Sequence, residues 1–162
     1  MEDISVIKHR RENMSRNVLI NSKWLEEEVG FPKHYECLGK LHFNRCRIEG
    51  VRVCSLNFTK PNQEILRYQY PISLQGIHQV TMGLIIRAND VECVNYHMRF
   101  YDYQNQQIDH YYHNVAHEIN HEFKNVCVTY QIPKQAVQAT IEWEIKGVAT
   151  ALTLFRPNLR KK

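Results

Sequence analysis

Hydrophobic and polar residues alternate with a period of two along most of the chain. The clearest run, VNYHMRFYD, places apolar residues on one face and polar residues on the other: Val94, Tyr96, Met98 and Phe100 against Asn95, His97, Arg99 and Tyr101. The same alternation marks residues 79–87, 126–132, 140–146 and 148–155, and more noisily residues 40–48 and 50–58. A period of two is typical of β-strands that are buried on one side only.

Turn-forming residues separate these runs. They are Gly50, Pro61-Asn62, Pro71, Asn89-Asp90, Pro133 and Gly147. Short strands at this spacing predict an all-β fold, an antiparallel β-sandwich of the jelly-roll type. We expect one such domain over residues 18–156, a polar and basic N-terminal tail over residues 1–17, and a basic C-terminal tail over residues 157–162.

The stretch DHYYHNVAHEINHEF, residues 109–123, departs from this pattern. Its apolar residues recur at helical spacing and Asp109 could cap a helix, but a strand, a loop and a second strand fit equally. His117-Glu118-Ile119-Asn120-His121 matches the H-E-x-x-H pattern, in which two His one helical turn apart bind zinc and the Glu is the general base.

A zinc hydrolase built on this motif is the alternative function. His117 and His121 would be the metal ligands, Glu118 the base, and His97, Glu142 or Glu144 a third ligand. However, the motif contains Asn120 and is followed by Glu122, which a helix buried in a core would not favour. We therefore favour a His-rich loop or edge strand at the surface, with no metal site. A jelly roll that binds metal through scattered His residues is a further alternative.

No other pattern points to catalysis or to a cofactor. The chain lacks a G-x-S-x-G motif and the glycine-rich loops that bind phosphates and dinucleotides, and it has six glycines in 162 residues. Its five cysteines form no C-x-x-C pair, and we expect reduced thiols. We expect a protein without a cofactor and without enzymatic activity.

Net charge and its distribution bear on partners. The formal charge is +4, and positive residues collect in KHRR near the start and RPNLRKK at the end. Solvated tails are the simplest interpretation, with contact to an acidic membrane surface or partner as the alternative. No basic stripe with interleaved aromatics indicates nucleic-acid binding. Because no apolar run follows the early charges, we expect a cytoplasmic protein, with peripheral membrane contact as the alternative.

The back half of the chain resembles a carbohydrate-binding-module-like jelly roll, over residues 75–157. The resemblance rests on Phe-Tyr-Asp at residues 100–102 before a polar turn at residues 103–106, on Ile132-Pro133 after an aromatic strand, and on Gly147 before the last strand. It implies a non-catalytic interaction module.

In size and layout the chain is similar to the third accessory secretion protein of the Gram-positive accessory Sec system. Trp24, the run over residues 38–58 and YPISLQG over residues 70–76 occur in that family's order, although Glu49-Gly50 stands where the family has a Pro-Gly turn. The resemblance implies an intracellular subunit of a complex with sibling proteins and a motor ATPase, which exports a glycosylated Ser-rich adhesin.

The resemblance also implies where a glycan, glycoprotein or protein partner would bind. On the polar face of the sheet, the expected ligand-binding residues are His97, Arg99, Tyr101, Glu142 and Glu144. An aromatic ring stacked on a sugar, with hydrogen bonds from the charged groups to hydroxyls, would supply the binding energy. The alternative is an ordinary solvated sheet face.

Overall fold

Antiparallel strands make up most of the protein in the computed structural model, which describes residues 16–39, 42–48 and 50–162. The strands are β1 (Glu27–Glu28), β2 (Phe31–Pro32), β3 (Tyr35–Leu38), β4 (His42–Ile48), β5 (Val51–Tyr68), β6 (Ile72–Ser73), β7 (Gln79–Arg87), β8 (Asp90–Tyr101), β9 (Gln107–Asn114), β10 (Lys124–Gln131) and β11 (Gln138–Lys161). A 3₁₀ turn, Ala116–Glu118, follows β9. In the part of the chain so described, no helix is long and apolar enough to cross a membrane.

Two long strands, β5 and β11, run through both layers of a sandwich. The end of β5 and the start of β11 lie in a first layer with the order β9-β8-β11-β5-β3. The start of β5 and the end of β11 lie in a second layer with the order β10-β7-β11-β5-β4. The strand pairs are antiparallel, so the all-β jelly-roll prediction is confirmed.

The core lies between the two layers and consists of the apolar residues that alternate along each strand. From the first layer come Val94, Tyr96, Met98, Phe100, Ile141, Trp143 and Ile145, and from the second Val80, Met82, Leu84, Ile86, Leu152 and Leu154, all of them buried. The Tyr96 hydroxyl donates a hydrogen bond to the carbonyl of Val126 at 2.7 Å, and the Tyr130 hydroxyl donates one to the carbonyl of Tyr96 at 2.7 Å. These two bonds join β8 to β10, so the layers are joined by polar contacts as well as by packing.

The segment before β1 packs against the sandwich around Trp24, which is fully buried. The Trp24 ring meets Tyr35 edge-on at 5.9 Å between ring centres. The Tyr35 hydroxyl donates to the carbonyl of Ile20, while the backbone N–H of Ile20 donates to the Tyr68 hydroxyl. Residues 1–15, most of the expected N-terminal tail, lie outside the described residues.

The expected C-terminal tail is wrong, because residues 157–161 belong to β11. Leu159 is fully buried opposite Met82 of β7, and its backbone N–H donates to the side chain of Asn17. The polar residue Asn158 is also buried, where its amide donates to the side chain of Asn125. A buried Asn interrupts the alternation of apolar and polar residues that marks a strand. The charged residues around it therefore look, in the sequence, like a solvated tail.

Pro61-Asn62 is not the turn that the sequence predicts, because β5 continues through it. The ladder between β5 and β11 pairs Asn62 with Gly147 and Phe58 with Ala149, and Pro61 lies in the interrupted part between these pairs. A proline there removes no N–H that the ladder uses. Of the described cysteines, Cys54 is a buried free thiol and Cys93 a half-buried one.

Candidate ligand-binding face of the first layer

Four of the five expected ligand-binding residues lie together on the outer face of the first layer. In the register of β8 and β11, His97 lies opposite Glu142, and Arg99 lies opposite Thr140, one step along the same face. Glu144 is two residues along β11 from Glu142, so its side chain points to the same side. The alternation that predicted buried residues on one side of these strands thus also predicted which polar residues share the other.

Glu142 is the centre of this face and is held between two guanidinium groups. Arg99 donates a hydrogen bond to one carboxylate oxygen, and Arg67 of β5 donates to the other from Nη2 at 3.1 Å and from Nε at 3.3 Å. Burial alone would raise the pKa of this carboxyl, but the bonds and charges of the two arginines outweigh burial and lower it. Glu142 is therefore a buried anion, 3% exposed, with two cationic partners that reach the surface.

Arg67, which the sequence did not indicate as a site residue, extends the network to the edge of the layer. Its Nη1 donates to Glu36 of β3 at 3.1 Å, so one guanidinium joins carboxylates on both neighbouring strands. In the sequence Arg67 lies in ILRYQY, which follows the false turn signal at Pro61, and no strand was expected there. Cross-strand pairs of opposite charge stabilise a sheet face, and here they also fix the directions of the side chains.

Glu144 holds a second group of polar side chains. It accepts hydrogen bonds from Asn95 at 3.0 Å and from Gln63, and lies 3.0 Å from His97 Nε2. Burial raises its pKa, but the bonds from Asn95, His97 and Gln63 lower it to about 2. His97 therefore has one ring nitrogen fixed by a carboxylate, and its other nitrogen, Nδ1, lies 2.9 Å from His110 Nε2.

A group of stacked rings on β8 and β9, which we name the His–Tyr platform, consists of His97, His110 and Tyr112. The His97 ring stacks on His110 at 5.1 Å with 24° between the ring planes, and on Tyr112 at 5.6 Å with 30°. Tyr112 is 63% exposed, so much of its ring is open to solvent. Burial, Arg99 and His97 together lower the pKa of His110, which favours its neutral form. The platform offers a ring surface beside fixed hydrogen-bonding groups.

His110 and Tyr112 were missed as site residues because their stretch also fitted a helix. As β9 they alternate, with His110 opposite Arg99 and Tyr112 opposite His97, while Tyr111 points inward and meets the Phe100 ring at 5.0 Å. Period two within QIDHYYHN was the available signal. Tyr101, the fifth expected residue, lies at the end of β8 opposite Gln138, outside this network within the described part of the chain.

The H-E-x-x-H stretch forms a strand, a loop and a second strand, as the favoured interpretation expected. After β9 the 3₁₀ turn ends at Ile119, which is extended (φ −101°, ψ 129°), and β10 begins at Lys124. Residues 107–131 contain no α-helix that would place the imidazoles of His117 and His121 on one face. Within the described ranges no three His, Cys, Asp or Glu side chains are grouped to hold a metal. Among the described residues, therefore, neither metal-binding alternative has a site.

Comparison with known proteins begins with sequence. No protein-family model matches the chain, and no curated protein matches its sequence. Solved structures do match its fold. One is the enzymatically active domain of tailspike protein 4 from bacteriophage CBA120, with a TM-score of 0.66 and 12% identity over 90% of this chain. The present chain spans only 21% of that tailspike chain.

Two further matches concern glycans by their own descriptions. The carbohydrate-binding module TmCBM61, solved in complex with β-1,4-galactotriose, has a TM-score of 0.59 and 14% identity over 91% of this chain and 100% of its own. The glycosylation-associated Gap123 complex from Streptococcus agalactiae has a TM-score of 0.58 and 10% identity over 80% of this chain and 24% of that one. At such low identity the likeness concerns the fold alone. The chain therefore has the jelly-roll fold that carbohydrate-binding modules share.

Proposed function

We propose that this protein is a non-catalytic binding module that holds a glycan, or the glycan of a glycosylated protein, on the outer face of its first layer. The observation that carries the proposal is the His–Tyr platform, in which the exposed Tyr112 ring stacks on His97, the residue opposite the ion-paired Glu142. An aromatic ring packs against the apolar face of a sugar, and neighbouring charged groups bond its hydroxyls.

The network beneath the platform favours binding because it is already ordered. His97 is held by Glu144 on one side and by His110 on the other, and Tyr112 stacks on His97. A side chain that is fixed before binding loses little rotamer freedom when the ligand arrives. Arg67 and Arg99 remain partly exposed, with 39% and 30% of their side-chain surface accessible, so they can add hydrogen bonds to a ligand.

The test is binding of polysaccharides and glycan arrays by the wild-type protein and by Tyr112→Ala. Loss of the exposed ring should weaken binding roughly two- to tenfold, the effect of about 0.5–1.5 kcal/mol of stacking. Tyr103→Ala is the matched control, since Tyr103 is a tyrosine exposed by 82% in the turn between β8 and β9. Equal binding by all three proteins, or none by the wild type, would reject the proposal.

A more specific role is also proposed, as an intracellular subunit of an accessory secretion complex for glycosylated adhesins. The likeness to a chain of the Gap123 complex supports it. In this role the protein is cytoplasmic, at or near the membrane, with sibling proteins and a glycoprotein cargo as partners. Pull-down from the native host with the tagged protein should recover secretion proteins. Recovery of the same proteins by Tyr112→Ala but of less glycoprotein would separate the subunit contacts from glycan binding.

A further inference from the structure

A cavity of about 770 Å³ lies away from the His–Tyr platform, where β5 and β11 pass from one layer to the other. Its volume falls within the roughly 300–1,000 Å³ of small-molecule pockets. The walls come from the middle of β5, the turn between β7 and β8, the middle of β11 and the loop after the 3₁₀ turn. The lining residues that matter below are Asn57, Asn62, Asn89, Leu152, Thr153 and His121. His121 is thereby the one residue of the H-E-x-x-H stretch that contributes to this cavity.

The cavity exists because the two long strands separate at this level. Their register shifts between Gly147 and Ala149 and again between Ala149 and Leu152, so the ladder is interrupted. Ala151 has a left-handed backbone with φ of 49°, and its N–H donates to the Asn57 side chain at 3.0 Å. A strained residue without glycine's freedom, held by a dedicated side chain, is more common at binding sites than elsewhere.

Backbone hydrogen bonds hold the loops around the cavity in place. The N–H of Asn89 donates to the carbonyl of Thr150 at 3.0 Å, which fixes the β7–β8 turn to β11. The N–H of Ala88 donates to the carbonyl of Asn120 at 2.9 Å, which fixes the loop before β10 to the same turn. The cavity is therefore formed before any ligand enters.

Its chemistry combines an apolar floor with an amide-rich wall. Leu56, Leu152 and Ala88 are buried beneath it. Asn57, Asn62 and Asn89 supply amides, and Ser55 and Thr153 supply hydroxyls. The described lining contains no carboxylate. Its guanidinium, that of Arg87, lies 4.2 Å from the centre of the Phe123 ring.

We propose that this cavity is a second ligand site, which takes a neutral, hydroxyl-rich ring such as the terminal residue of a glycan. Amides both donate and accept hydrogen bonds, which matches the hydroxyl groups of a neutral sugar, while the floor contacts the C–H face of the ring. The two sites share no residue, so each can be removed separately.

The test is titration of ¹⁵N-labelled protein with methyl glycosides of neutral hexoses, followed by NMR. Chemical shifts should change at residues 57, 88–90 and 151–153, and these changes should be separate from any at the platform residues His97, His110 and Tyr112. Asn89→Ala should raise Kd by about two- to tenfold, the loss of one hydrogen bond, and Asn89→Trp, which obstructs the entrance, should abolish binding. Asn89 is exposed in a turn, so both variants should fold, as their spectra will verify.

Two controls complete the experiment. Gln104→Ala removes an exposed amide in the β8–β9 turn, and Tyr112→Ala alters the platform. Both should leave the shifts at the cavity unchanged, even if the platform binds nothing. The inference is overturned if the glycosides cause no shifts at the cavity, if Asn89→Trp binds like the wild type, or if only methyl glucuronide, an acidic probe, binds there.

Discussion

At the scale of the residue, the outer face of the first layer is organised by two carboxylates. Glu142 and Glu144 are adjacent outward positions on β11, and most strand carboxylates in such positions point into water. Here each accepts several hydrogen bonds, from Arg99 and Arg67 in one case and from Asn95, Gln63 and His97 in the other. A buried charge that lost these partners would be costly, so the face is fixed as a unit.

The protonation of these groups predicts how stability depends on pH. The pKa of Glu144 is about 2 in the folded protein against an ordinary 4.5, so its stabilisation is complete above 4.5 and is lost as the pH falls towards 2. The pKa of His110 is also lowered, from an ordinary 6.5, so the unfolded chain takes up this proton first and stability begins to fall below that pH.

Urea unfolding midpoints measured between about pH 7 and pH 3 test this dependence. We expect Glu144→Gln to be less stable than wild type at neutral pH and to lose less stability below pH 4.5. Glu118→Gln, which alters an exposed carboxylate after β9, should follow the wild-type curve. A steep acid loss that is identical in all three proteins would contradict the role given to Glu144.

Some of the site residues could be predicted from the sequence, and others could not. The polar face that His97, Arg99, Glu142 and Glu144 share was predicted because they alternate on strands with a clear apolar face, whereas their ligand-binding role was implied by the resemblance. Arg67 was missed because Pro61 suggested a turn. His110 and Tyr112 were missed because His and Tyr are compatible with helix and strand alike. Whether any of these residues contacts a ligand remains a prediction.

At the scale of the element, β5 and β11 are unusual because each is long enough to serve both layers. The bend between the layers comes from interrupted pairing near Gly147 and Ala149. Gly147, with φ of 86°, was recognised in the sequence as a turn signal between two strands. The structure makes it a bend within one strand, because both halves keep partners in their own layer. Periodicity finds strand segments, but it does not show whether two segments are continuous.

Ala151 offers a test of the bend. Because its backbone is left-handed, Ala151→Gly should relieve strain and raise the free energy of unfolding by about 0.5–1 kcal/mol. Its side chain is exposed, so little packing is lost. Ala149→Gly, at a buried position with an ordinary backbone, should instead lower stability by about 1 kcal/mol. Thermal melting of both variants measures these changes. A lower melting temperature for Ala151→Gly than for the wild type would contradict backbone strain at this residue.

At the scale of the whole molecule, the sandwich was predictable and its C-terminal limit was not. Alternation along six or more segments indicated two layers around one core, because each segment must bury one face. The end of β11 was taken for a solvated tail since four of the last seven residues are basic. Its pairing with β7 over residues 158–161 depends on a partner about 80 positions earlier, which local patterns do not reveal.

Leu159→Ala distinguishes a strand from a tail. Leu159 is fully buried opposite Met82, so its truncation should cost about 2–4 kcal/mol of unfolding free energy. Lys161→Ala, on the same strand but partly exposed, should change stability by less than about 0.5 kcal/mol. Denaturant unfolding of the two variants is the measurement. If both behave alike, the last residues do not pair as β11 does here.

The continuity of β5 and β11 has a mechanical consequence. Because each of these two continuous strands belongs to both layers, neither layer can unfold while the other stays folded. Unfolding should therefore be a single cooperative transition. A ligand that binds to either layer would then stabilise the whole domain against force, proteases and heat, however far the binding site lies from the least stable region.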